Sequence, residues 1–167
     1  MATYVVSDDI RVMARNIQRR YTHNFGDLNL DKIVFLKEME SPSKTKVAIT
    51  KQIEAATKVI YGQHDYIIII FQKRWEELVP AQKHLYVMQQ LLKCKWDGDG
   101  LRKYDVEDFY ELNAAFGADW QYNEQVRDPL GAETVALIPK PIPVEASDDE
   151  ADDDDALDGL VIDPEQD

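Results

Sequence analysis

The sequence predicts an α+β domain, a short sheet packed on helices, followed by an acidic tail. Three observations predict it. Asp65 to Phe71 contains an unbroken apolar run, rich in isoleucine and without polar alternation, which suits a central strand covered on both faces. Two segments, 8–21 and 81–95, carry apolar residues at helical spacing. Charge is also unevenly placed: the 167 residues have a formal charge of −13, yet Val144 to Asp167 holds 12 Asp/Glu and no Lys or Arg, leaving 20 acidic and 19 basic residues before it. Hydrophobic residues at 44% and aromatics at 10% suffice for a core of ordinary size, so wholesale disorder is excluded.

Ser7 offers an N-cap, Asp8 and Asp9 an acidic first turn, and Ile10, Met13, Ala14 and Ile17 one apolar stripe, so a helix is expected from about Asp8 to Tyr21. Its other face carries Arg11, Arg15, Arg19 and Arg20, which suits either a solvated surface or contact with phosphate. Lys32 to Leu36 reads as a strand, Ser41-Pro42-Ser43 as a turn, and Lys46 to Thr50 as a second extended segment. Between Ile49 and Ile60 helical and strand periodicities compete, and both stay open. Pro80 permits a helix start before Ala81 to Lys95. There Leu85, Met88 and Leu92 form one apolar stripe and Val87, Leu91 and Cys94 another, while Gln82, Tyr86, Gln89 and Lys93 share the remaining face. Asp97-Gly98-Asp99-Gly100 breaks the chain, and Asp105 is expected to cap a last helix bearing Val106, Phe109, Tyr110 and Leu112.

The body is expected to end near Trp120 to Val126, giving a domain over 1–126, a linker over 127–146 and a tail over 147–167. Ile138 to Pro143 places proline at every second position, which favours an extended spacer. In the tail, Asp148, Asp149, Glu150, Asp152, Asp153, Asp154 and Asp155 form an acid block, followed by Leu157, Leu160, Val161 and Ile162. Such a segment suits docking on a partner; a merely solubilising role is the alternative. No apolar run approaches the roughly 18 residues of a membrane span, the N-terminus lacks the pattern of a secretion signal, and Cys94 is the lone cysteine. A reducing cytoplasm is the expected compartment.

The order of parts carries a resemblance: Asp65-Tyr66 opening a central strand, Trp75, Leu91-Leu92 in a helix, then Asp105-Val106-Glu107-Asp108-Phe109, and Gly117 with Trp120. Over roughly Asp27 to Trp120 this resembles the phage metallopeptidase family, a zincin-like group, which implies a short mixed or antiparallel sheet packed on helices. In that family a helix bears His-Glu-Leu-Leu-His and a third histidine precedes Asp-Val-Glu-Asp-Phe. Two histidines one helical turn apart hold zinc, and the glutamate between them serves as general base on the bound water. The corresponding positions here are Gln89, Gln90, Lys93 and Tyr104. All four depart from the pattern, so the resemblance implies a degenerate member with no catalytic zinc, no other cofactor and no peptidase activity.

His23, His64, His84 and Cys94 have no ligand-like spacing, and His84 falls on the apolar side of the helix wheel. Asp97, Asp99 and Asp108 mimic part of a calcium loop, but Leu101 and Arg102 stand where an oxygen ligand and glycine belong. Phosphate-loop and serine-nucleophile motifs are missing. Trp75, Trp96 and Trp120 suit core sealing better than base stacking, and the acidic balance disfavours nucleic acid. The expected function is binding, with inhibition or redirection, of a host protein whose basic surface holds nucleic acid, the target being a nucleic-acid enzyme or a defence factor. The alternatives are a hydrolase using Lys93 with Tyr86 and Tyr104, and a virion or assembly component.

Overall fold

The computed structural model describes residues 2–40, 43, 45–104 and 108–141. The elements run β1 (Tyr4–Val6), α1 (Asp8–Arg20), α2 (Thr22–Phe25), a 3-10 turn (Leu30–Lys32), β2 (Ile33–Glu38), β3 (Ala48–Gln52), α3 (Ala55–Tyr61), β4 (Tyr66–Phe71), α4 (Gln72–Trp75), α5 (Pro80–Lys93) and α6 (Tyr110–Phe116). The strands form one mixed sheet in the order β1-β2-β4-β3; β4 is parallel to β2 and antiparallel to β3, and β1 is antiparallel to β2. This is the α+β class that the sequence predicts.

The isoleucine run occupies an inner position, as its composition requires. Tyr66, Ile68 and Ile70 point to one face together with their register partners Ile33, Phe35, Ala48 and Thr50, and all are buried. Helices α1 and α5 cover that face, α1 against β2, α5 against β3, and each against the other. Ile10, Ala14 and Ile17 of α1 meet Leu85, Met88 and Leu91 of α5 in one core. The opposite face is covered less fully than expected. Ile69 is buried there, but Ile67 is only half-buried beside a cavity that Thr57 of the short helix α3 helps to line.

Helix α1 begins where the cap residue places it, Ser7 Oγ accepting from the Ile10 amide at 3.4 Å. Asp8 and Asp9 sit at the positive end of its dipole, Arg19 and Arg20 at the negative end. The basic face is engaged within the molecule: Arg11 and Arg15 lie 3.9 and 3.8 Å from Asp31, and Arg20 Nη1 donates to the Gly131 carbonyl at 2.9 Å.

Several expectations change. The exposed strand β1 was not anticipated. The ambiguous stretch divides into β3 and then α3. Helix α6 starts at Tyr110 rather than near Asp105; Asp105, Val106 and Glu107 lie outside the described residues, as do Ser41 and Pro42 of the expected turn. The packed body also continues past Val126. Tyr21 Oη donates to the Pro129 carbonyl at 2.9 Å and Asn24 Nδ2 to the Leu137 carbonyl at 3.2 Å, while Val126 and Leu137 are buried. Between them, Leu130 and Val135 pack against the same hydrophobic core. All the tail residues from Asp148 to Ile162 lie outside the described residues. Among the described residues, no helix is long and apolar enough to cross a membrane.

Candidate functional site

The last turn of α5 sets out Gln89, Gln90 and Lys93, and a glycine-dependent loop then folds the chain back beside them. Helix α5 stops at Cys94, whose backbone turns extended. Gly98 (φ +73°) and Gly100 (φ +78°) adopt the left-handed conformation, and a Cβ on Gly98 would stand 2.5 Å from Asp65 Oδ2. Tyr66 Oη donates to the Gly100 carbonyl at 2.7 Å, and the Arg102 amide to the Lys93 carbonyl at 2.9 Å. Arg102, Lys103 and Tyr104 are thereby laid alongside the end of the helix.

Two of the four positions are buried and bonded together. The Thr50 hydroxyl donates to Gln90 Oε1 at 2.9 Å, Gln90 Nε2 donates to Gln89 Oε1 at 3.1 Å, and Gln89 Nε2 donates to Asp108 Oδ1 at 3.0 Å. Asp108 Oδ1 also accepts from the Phe109 amide and its Oδ2 from Trp120 Nε1, each at 2.7 Å. Gln89, Gln90, Asp108 and Trp120 are all nearly inaccessible to solvent. Each oxygen and nitrogen of the two amides thus has a partner, as buried polar atoms require.

The other two positions form the wall of an open cleft. Lys93 Nζ lies 5.0 Å from the centre of the Tyr104 ring, and Tyr104 meets Phe109 edge-on at 5.1 Å. Burial lowers the pKa of Lys93, opposed by the nearby Asp108 carboxylate. Burial raises that of the Tyr104 phenol, and Asp108 adds to the rise. The cleft has a volume of about 610 Å³ and is lined by Thr50 and Gln52 of β3, Lys93 of α5, and Leu101, Arg102, Lys103 and Tyr104. Arg102 is held by Glu111 at 2.9 Å. No carboxylate lies within ion-pair distance of Lys93 or Lys103 among the described residues.

This donor set does not fit a catalytic zinc ion. Both glutamines spend their amide atoms on hydrogen bonds, Lys93 offers a lone pair only after losing its proton, and a phenol of raised pKa resists becoming a phenolate. Among the described residues, no group of three or more His, Cys, Asp and Glu side chains is gathered as a metal ion requires.

The remaining candidates disperse. His84 is not set in apolar surroundings as the helix wheel implied; its Nδ1 lies 2.7 Å from Asp128 Oδ1, because the stretch beyond α6 packs back against α5. Burial pushes the Cys94 thiol up to about 12, which makes it a poor ligand and nucleophile. Tyr86, its phenol pushed up to about 12 chiefly by burial, lines a separate cavity with Arg74, Leu78 and Tyr122, though it lies near enough to Asp108 and Tyr104 to interact with them electrostatically. Trp75 and Trp120 seal the core, but Trp96 is 75% exposed because the chain leaves α5 just before it. Thr50 and Asp108 are the participants that sequence reasoning missed. For Asp108 the signal was its place in the Asp-Val-Glu-Asp-Phe run together with Trp120.

No curated protein matches the chain, and no solved structure does. Residues 2–128, most of the chain and nearly all of its packed body, match the family described as Putative phage metallopeptidase, and the chain belongs to that family.

Proposed function

We propose that this protein is a catalytically inactive member of its family and that it acts by binding a host protein with a basic, nucleic-acid-holding surface, inhibiting or redirecting it. The observation that carries the first part is the wiring of Gln89 and Gln90 to Thr50 and Asp108, which engages the amide atoms at the positions corresponding to a zinc ligand and the general base. Lys93 and Tyr104 complete a set with neither metal affinity nor a carboxylate base. The second part is supported by charge: 12 acidic residues in the last 24, beyond a proline-rich spacer, attract basic surfaces and speed encounter with them.

The hydrolase reading has one observation in its favour, the lowered pKa of Lys93. Against it, the Tyr86 phenol opens onto a different cavity from the one that Lys93 and Tyr104 line.

Two measurements test the proposal. Metal analysis of the full chain equilibrated with zinc is expected to find no tightly held ion, and one equivalent per chain would overturn the inactive reading. Host extract passed over the full chain and over a chain ending at Ser147 is expected to yield a basic nucleic-acid-binding protein whose association slows at least about tenfold without the tail and loses most of its salt dependence. Equal, salt-insensitive capture by both chains would remove the tail from the interface.

A further inference from the structure

We infer that the cleft between β3 and the end of α5 is a docking site for an acidic, aliphatic peptide, and that its occupant in the resting protein is this chain's own segment from Asp152 to Asp163. This goes beyond the proposed function, because it concerns where the tail lies when no partner is present.

Charge selects the occupant. Lys93 and Lys103 border the cleft with no paired carboxylate among the described residues, and no described lining residue is acidic. A lysine losing hydration beside an aromatic ring gains from an incoming carboxylate, and the lowered pKa of Lys93 reflects the present lack of enough compensation. Shape and polarity agree: Leu101 and Tyr104 are 37% and 40% exposed on the same wall, giving aliphatic side chains a surface to cover. The segment supplies both halves of this match, with Leu157, Leu160, Val161 and Ile162 set between Asp155, Asp158 and Asp163. The cavity beside Trp96 is a poorer seat. It is smaller, about 250 Å³, and Asp27 and Asp97 line it, which repels an acidic strand.

Length permits the contact. The described chain ends at Pro141, shortly after Leu137 is fastened to Asn24, and 15 residues separate it from Leu157. Extended, they span about 50 Å, well beyond the radius of gyration of about 14 Å expected for a body of this size. Tethering then gives the segment a millimolar effective concentration, so weak intrinsic affinity suffices.

The test is zero-length carbodiimide coupling of the full chain without any other protein, with the joined peptides mapped by mass spectrometry. Tail carboxylates are expected to couple to Lys93 or Lys103 within one chain. The yield should fall at least about fivefold in roughly 0.5 M salt and in the variant Leu160→Ser, Ile162→Ser, which leaves every lysine and carboxylate in place. Coupling spread evenly over distant lysines such as Lys32 and Lys73 would overturn the inference. So would coupling found only between isotopically labelled and unlabelled chains in a mixture, which would make a second copy the occupant. Neither result depends on a host partner: coupling without capture of a host protein sinks only the proposed function, and capture without coupling sinks only the cleft.

Discussion

One helical turn separates Gln89 from Lys93, yet the two belong to different kinds of site. Gln89 and Gln90 face inward, nearly inaccessible, with every amide atom bonded. Lys93 faces a cleft of about 610 Å³, touching an aromatic ring and no carboxylate among the described residues. In the resemblance that the sequence carries, these positions converge on one ion. Here they are divided: the inner pair fastens α5 to β3 and to the loop before α6, and the outer pair borders open space. The difference teaches that positions one turn apart on a single helix can meet opposite physical demands. Polar residues facing the core must be satisfied by hydrogen bonds, because an unpaired buried polar group costs about 1–3 kcal/mol, whereas residues facing solvent have no such constraint.

The largest expected effect breaks the inner site. Asp108→Ala leaves Gln89 Nε2, the Phe109 amide and Trp120 Nε1 without their acceptor, in a region closed to water. The expected loss is about 3 kcal/mol or more, read as a lower urea midpoint at unchanged slope. A loss under about 0.5 kcal/mol would mean that the network is not structural. A smaller effect comes from Gln90→Glu. The new carboxylate retains the Thr50 hydroxyl as donor but turns an oxygen toward Gln89 Oε1, and burial raises its pKa above that in the unfolded chain. A raised carboxyl pKa means that folding favours the protonated form. The variant should therefore be less stable than the parent by about 2 kcal/mol at pH 7 and recover much of that as pH falls toward the ordinary glutamate range, near 4. A pH-independent difference would point to steric damage instead.

How much of this was legible in sequence follows the range of the interactions. Helix α5 was legible because Pro80 and two apolar stripes are local signals, and so was the single-turn spacing of Gln89 and Lys93. That Gln89 is buried was not, because its partner Asp108 lies 19 residues away, and Thr50 lies 40 residues from Gln90. A buried amide and an exposed one look alike until a distant acceptor arrives. The strand β4 announced itself through isoleucine, but β1 is three exposed residues that depend on pairing with β2 for their form. Residues 127–137 read as linker for the same reason: Tyr21, Arg20 and Asn24 hold their carbonyls, and backbone acceptors carry no mark in the sequence. The resemblance supplied the four aligned positions, and the geometry supplied the division between them.

The smallest expected effect concerns the outer site and has the opposite sign. Burial lowers the pKa of Lys93 from 10.5, so the folded protein holds that proton less well than the unfolded chain. Protonation at neutral pH therefore costs stability. The penalty is fully present below the folded pKa, shrinks as pH rises through the interval from there to 10.5, and is absent above it. Lys93→Met keeps a flexible apolar stem against Tyr104 and removes the charge. It should stabilise the protein by no more than about 1 kcal/mol, because the ammonium retains solvent contact, and the gain in thermal midpoint should fade between neutral pH and pH 10.5. A variant less stable than the parent at pH 7 would show that the contact with the Tyr104 ring, together with the attraction of Asp108, outweighs the desolvation of the charge. In that case the outer site would be held together much as the inner one is, and the division between them would close.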